Sequence, residues 1–387
     1  MEKGIMIPLS VPNLKGNEEK YVLDAIRSEW ISTSGSYVSR FENDIKKYLN
    51  IDNVVACQSG TAAIHLALRL SGATINSEVI VPTLTFIAAV NPIKYLGAEP
   101  IFMDCDDSLN MDCDKLEEFF KNECILTNSG LKNKNTNRYI KALVVVHVFG
   151  NMANVEKIKE LTDKYNMKLI EDATEALGTY YTDGKYNKKF AGTIGDFGVY
   201  SFNGNKIITT GGGGILVGQS SEYIKKAKYL STQAKDDELY YVHDDIGYNY
   251  RMTNLQAALG VAQLEKLEEF IEIKIRNYEL YKSKINNING LTLLEYNNKA
   301  RNNHWFYSLC INNFKLNRDE LLKYLSQNKI QTRPIWKLIH TQKPYLNNQA
   351  YKIEKAIKYY SKILNIPCST NLKRESIEYI INILEKV

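Results

Sequence analysis

The chain has 387 residues, 44% of them hydrophobic and 24% charged, with a formal charge of +5. That length exceeds one compact domain and can bury a large core, so two domains sharing one site are expected. The small charge, with lysines scattered among acids, argues against a nucleic-acid-binding stripe, and no apolar run is long enough to span a bilayer.

Met1 to Pro8 holds no apolar stretch after its positive charge, so no secretion leader is expected. Cys57, Cys105, Cys113, Cys124, Cys310 and Cys368 form no C-x-x-C pair and have no histidines at zinc spacing. They read as free thiols of a cytoplasmic protein without a metal. From about Asn53 to Val217, short Val/Ile-rich runs alternate with stretches of helical period, the pattern of βα units on a mostly parallel sheet and hence an α/β fold. Strands are expected at Val54 to Ala56, Glu78 to Val81, Pro100 to Met103, Lys141 to Val148 and Lys168 to Glu171. Helices are expected at Thr61 to Leu70 and Phe86 to Leu96. Between Leu126 and Tyr139 the residues show no apolar period and read as an exposed loop.

From Leu255 to Ile285 the spacing predicts one long helix or two in succession. A smaller α/β domain follows, with strands at Leu291 to Leu294 and Trp305 to Ile311 and helices at Arg318 to Ser326 and Glu375 to Lys386. The expected division is a large domain over 1–265 and a small C-terminal domain over 266–387.

Three segments place polar groups at the carboxyl ends of strands, where a βα fold keeps its ligands. Gln58 to Ala63 opens a helix after a strand, and the free N–H groups of that first turn face any anion there. Alone, it would equally be an ordinary N-cap. Leu169 to Glu175 is an apolar strand ending in acids, and a carboxylate buried there is costly without a cation. The protonated ring nitrogen of pyridoxal phosphate (PLP) is such a cation, although a solvated strand end would need none. Gly198 to Lys206 delivers a polar turn before the glycine run Gly211 to Gly214. A lysine that forms a Schiff base must lose its proton near neutral pH, which a partly dry pocket encourages.

Together with two further segments these motifs resemble the DegT/DnrJ/EryC1/StrS family of sugar aminotransferases, over nearly the whole length. The motifs are S-G-T-A (Ser59 to Ala62), P-T-x-T-F (Pro82 to Phe86), E-D-A-x-x-A-L-G (Glu171 to Gly178), S-F-N-G-N-K (Ser201 to Lys206) and G-Y-N-Y-R (Gly247 to Arg251). The resemblance implies a fold type I PLP enzyme with a large domain, whose mixed, mostly parallel sheet is flanked by helices, and a smaller C-terminal domain. It implies that Lys206 carries the cofactor as a Schiff base and that Asp172 partners the pyridine nitrogen. Gly60, Thr61 and Ser201 match phosphate contacts, Phe86 the aromatic stacked on the ring, and Glu175 a position near the phenolic oxygen. Asn249 matches a residue that reaches the phosphate in the neighbouring subunit, which implies a homodimer with shared sites.

Relatives that deoxygenate the sugar carry histidine in place of this lysine, so Lys206 favours amino transfer from L-glutamate. The segments Trp30 to Gly35 and Arg333 to Gln342 look most like a subgroup acting at C4 of nucleotide-linked (UDP- or GDP-) 4-keto-6-deoxy-N-acetylhexosamines, which feeds bacillosamine and legionaminic acid synthesis. Trp30 and Ser32 are accordingly expected at the sugar. His304, Trp305, Trp336 and His340 either line the sugar pocket or pack the small domain. A C3 sugar aminotransferase, a GDP-perosamine-type synthase and a non-catalytic regulator on the same scaffold are the alternatives.

Overall fold

The aliphatic runs of the first half of the chain form strands buried on both faces, as a sheet covered by helices on either side requires. A computed structural model describes residues 6–387. Residues 1–5, part of the segment expected to lack a leader, lie outside the described residues. In chain order the strands of the first half are β1 (Val54–Cys57), β2 (Ser77–Pro82), β3 (Glu99–Met103), β4 (Cys124–Thr127) and β5 (Gly130–Asn133). Then come β6 (Tyr139–Val146), β7 (Lys168–Asp172), β8 (Tyr180–Tyr181), β9 (Phe197–Ser201) and β10 (Gly214–Gly218). The remaining strands are β11 (Leu291–Leu293), β12 (Ala300–Arg301), β13 (Tyr307–Ile311), β14 (Arg333–Pro334), β15 (Ala350–Tyr351) and β16 (Ile363–Ile366).

The main sheet runs β1-β10-β9-β7-β6-β2-β3-β15, with the hairpin β4–β5 attached beside β6. Pairing is parallel from β9 through to β15, and β10 alone on this path runs against both of its neighbours. The carboxyl ends of β1, β6, β7 and β9 therefore open on one edge. Register places Asp172 opposite Val146 on one side and Val199 on the other, in the middle of that edge.

The second sheet, β11-β13-β16-β14, is antiparallel and drawn from the last third of the chain, where the helices Arg318–Gln327 and Arg374–Leu384 also lie. Pairings and hydrogen bonds join the residues before and after the expected division at residue 265. β15 pairs with β3 at the edge of the main sheet, and the Leu9 carbonyl accepts the Cys368 N–H at 2.8 Å. The stretch expected as one helix or two is two, Asn254–Leu264 and Leu267–Ile285. A capping box starts the first: the Gln256 N–H donates to Thr253 Oγ1 at 3.3 Å, and the Thr253 N–H donates to Gln256 Oε1 at 3.0 Å. Among the described residues no helix is long and apolar enough to cross a membrane.

Two local expectations are corrected. Residues 126–139 are not a loop: most lie in or beside β4 and β5, whose inward positions Leu131 and Asn133 are buried. Asn133 Nδ2 donates to Glu78 at 2.9 Å and to Gln349 at 2.6 Å, so a polar residue fills an apolar slot and hides the alternation. The helix expected over Phe86 to Leu96 breaks into a 3₁₀ turn, Ile87–Ala89, and a short helix, Asn91–Tyr95. Pro92, near the start of the second piece, cannot supply the N–H that would continue the first.

Candidate active site

The anion end of the site is built where β1 meets the next helix. Ser59 caps Gly60–Leu70, its Oγ accepting the Ala62 N–H at 3.1 Å, and the amides of Gly60 and Thr61 have no partner within the helix. A Cβ on Gly60 would stand 2.9 Å from the Ser201 Cβ, so glycine lets this helix start close against the end of β9.

Two acids end β7 and face opposite ways, as neighbours in a strand must. Glu171 is fully buried and accepts N–H groups from Gly192 (2.9 Å), Ile194 (2.7 Å) and Gly195 (2.5 Å). His147 stands 3.0 Å from it through Nε2. Because His147 Nδ1 accepts the Ala153 N–H at 3.2 Å, the ring proton sits on Nε2 and points at Glu171. Asp172 turns to the cavity, where its Oδ1 accepts the Thr174 N–H at 3.1 Å. Burial pushes its carboxyl above the usual range, against the pull of the Thr174 hydrogen bonds and of Lys206.

Glu175 follows on the turn after β7. Its Oε2 accepts the Phe149 N–H at 2.8 Å, and its Oε1 lies 3.6 Å from Lys206 Nζ. Burial pushes Glu175 up to about 7, opposed mainly by the Lys206 charge. Phe149 itself sits at φ 57°, a left-handed conformation that aims its N–H at this carboxylate.

Lys206 closes the turn after β9, a turn held by Phe202 N–H to the Gly213 carbonyl (3.0 Å) and Thr210 N–H to the Phe202 carbonyl (2.8 Å). Its ammonium stands 4.2 Å from the Trp305 ring centroid. The indole Nε1–H of Trp305 in turn donates to the Asn205 carbonyl at 2.8 Å.

These groups share one cavity of about 350 Å³. Gly60, Thr61 and Ser201 line its anion end, while Asp172, Glu175 and Lys206 line its interior. Phe86, Trp305 and Trp336 give it an aromatic wall, with Phe86 half exposed at 52% and Trp336 packed on Phe149 at 4.6 Å. Five expected residues are not among those lining it. His304 takes the packing alternative: it is buried between Tyr278 (4.4 Å) and Tyr296 (4.0 Å), and burial lowers its ring to about 3. His340 is half-buried and bonded through Nδ1 to Thr83 Oγ1 at 2.6 Å. Trp30 is 59% exposed, and the Asn254 backbone N–H donates to the Ser32 carbonyl at 2.6 Å. Asn249 is exposed, bridged to Thr232.

The residues present fit PLP. Gly60 and Thr61 offer free amides to a phosphate, and the buried Asp172 offers a carboxylate to a ring N–H⁺. Lys206 is the amine within the same cavity. Phe149, Asn205 and Phe306 were not singled out from the sequence, and only the position of Phe149 just after an apolar strand could have marked it.

The fold is that of solved aminotransferases. A Helicobacter pylori aminotransferase involved in the biosynthesis of pseudoaminic acid has a TM-score of 0.87 at 25% identity, with 98% of each chain covered. The model of the DegT/DnrJ/EryC1/StrS aminotransferase family matches residues 12–385, and the chain belongs to that family. It is a PLP-dependent aminotransferase acting on nucleotide sugars. GDP-perosamine synthase of Escherichia coli O157:H7 is 36% identical over 376 residues, covering 97% of this chain and 96% of the relative. GDP-perosamine synthase of Vibrio cholerae is 34% identical over 385 residues, covering 98% of each chain.

Proposed function

We propose that the chain moves the amino group of L-glutamate to C4 of a nucleotide-linked (UDP- or GDP-) 4-keto-6-deoxy-N-acetylhexosamine, for glycan synthesis. The observation that carries the catalytic part is the meeting of Lys206, Asp172 and Glu175 with the helix start at Gly60 in one cavity. Bound PLP supplies an electron sink for the carbon that loses its proton. Gly60, Thr61 and Ser201 would hold the phosphate, Phe86 would supply an aromatic face to the ring, and Asp172 would keep a proton on the ring nitrogen. Glu175 would lie near the phenolic oxygen. Lys206, when its amine is free, would take the proton from the substrate carbon and hold it for the return transfer. Both halves of the reaction use this one pocket, so 2-oxoglutarate must leave before the sugar enters. With six free cysteines, the reducing cytoplasm is the compartment assigned to it.

The GDP-perosamine synthase likeness favours a second reading, in which the sugar is GDP-linked and lacks the acetamido group. Incubation with UDP-, GDP- and dTDP-linked 4-keto sugars plus glutamate, with the aminated products identified by mass spectrometry, separates the two. Turnover only of the sugars without an acetamido group rejects the first reading.

The working unit in this proposal is a homodimer in which Asn249 reaches the phosphate of the other subunit. Support comes from the exposed apolar residues just before it, Leu239, Tyr240, Tyr241 and Ile246, each at least 73% exposed in the single chain. Lys206→Ala and Asn249→Ala chains are each crippled alone, and mixing them yields some dimers with both defects in one site. Activity then returns to a fraction of wild type. Mixtures that stay inactive despite proven subunit exchange reject the shared site.

A further inference from the structure

Trp305 reaches the candidate lysine by two independent routes. Its ring lies 4.2 Å from Lys206 Nζ, and its Nε1–H holds the carbonyl of the preceding residue, Asn205, at 2.8 Å. One buried side chain thus fixes both the amine and the backbone that carries it. Trp305 is itself tied down on both sides of its own backbone. Its N–H donates to Asn303 Oδ1 at 3.0 Å, and its carbonyl accepts Lys274 Nζ at 2.7 Å. Lys274 is buried, with its ammonium shared between that carbonyl and the Cys368 carbonyl at 2.7 Å. Phe306 stacks on the indole at 4.0 Å and 27°.

A lysine side chain has four rotatable bonds and loses much rotamer freedom when held. An aromatic face attracts both its cationic head and its methylene stem. The amine also stands 3.6 Å from Glu175 Oε1. It is therefore in contact with both an indole face and a carboxylate.

We infer that Trp305 is a positioning residue for Lys206, parking the amine inside the cavity whenever it is not bonded to the cofactor. The inference rests on the reading of Lys206 as the cofactor-linking lysine. Without the indole, the amine must be gathered from several rotamers before each bond-forming event, and the turn from Asn203 to Lys206 loses its tether.

The test uses the full chain, stripped of cofactor and reloaded with saturating PLP, following the absorbance of the lysine–cofactor linkage by stopped flow. Borohydride reduction and peptide mapping then identify the labelled lysine. Trp305→Leu removes both face and N–H, and its limiting linking rate is expected to fall on the order of tenfold, the entropy of one freed lysine side chain. Trp305→Phe keeps an aromatic face, though a smaller one, loses the N–H, and is expected to fall between that variant and wild type. A role confined to packing would shift the thermal midpoint and leave the limiting rate alone. A wild-type limiting rate in Trp305→Leu, with the label on Lys206, overturns the inference. Should Trp305→Leu not fold, a wild-type rate in Trp305→Phe overturns it. Label on another lysine overturns the reading of Lys206 as well, and the mapped peptide tells that failure from the first.

Discussion

Glu171 and Glu175 are buried carboxylates of the same strand-end segment, and their surroundings differ in kind. Glu171 is surrounded by three backbone N–H groups and the His147 ring, with no face left toward the cavity. Glu175 has one backbone N–H and a lysine at 3.6 Å, and it lines the cavity. A buried acid whose lone pairs are all occupied is scaffolding, because changing its charge would strand every donor around it. An acid with few donors beside an open cavity is free to exchange its proton or accept a ligand.

The largest effect is expected at Asp172, the other acid of β7. Asp172→Asn keeps the shape but removes the charge that would hold the ring proton, and kcat should fall on the order of a thousandfold, about 4 kcal/mol of barrier. Turnover within about tenfold of the parent would contradict the role assigned to it.

Glu171→Gln sharpens the contrast from the opposite side. It replaces an acceptor-only carboxylate with an amide whose NH₂ faces backbone donors, and should cost about 3 kcal/mol of stability in urea unfolding, with turnover per folded molecule within about threefold. A large loss of turnover without loss of stability would make Glu171 a catalytic acid and erase the distinction.

The smallest effect is pH-dependent. The folded-state pKa of Glu175 is raised to about 7 from an ordinary 4.5, so its contribution to stability is fully present below about 4.5 and is lost as pH rises through about 7. Glu175→Gln does not titrate. In cofactor-free protein its stability relative to wild type should therefore rise between pH 5 and 8, by on the order of 2 kcal/mol. Denaturant unfolding at each pH measures this, and a difference that stays flat across the window counts against a burial-raised Glu175.

Most of the fold was legible because the βα alternation is written in apolar runs whose ends coincide with glycine and acid motifs. The hairpin at residues 124–133 was not, since Asn133 holds a buried position through side-chain hydrogen bonds that no periodicity reveals. Within the site, Lys206, Asp172 and the helix start at Gly60 were readable because each sits at the end of a recognisable strand. The neighbours His304 and Trp305 were not separable in sequence. His304 adopts φ 51°, turning its ring into a tyrosine cage, while Trp305 hangs on Asn303 Oδ1 and faces the lysine. Phe149 acts through a backbone N–H whose direction depends on one torsion angle. Trp30, Ser32 and Asn249 lie off the cavity, and no local pattern in the sequence separates them from the residues that line it.

The pairing of β15 with β3 sets when this protein can finish folding. Phe102 and Ala350 are register partners, so the edge of the main sheet waits for residues made long after β3 itself. A contact so distant along the chain slows folding, and until it forms β3 presents an open hydrogen-bonding rim to any other extended segment. During synthesis that rim of the sheet, Glu99 to Met103, stays open until Ala350 and Tyr351 are made, and an open edge strand is a place where unfinished chains pair with one another.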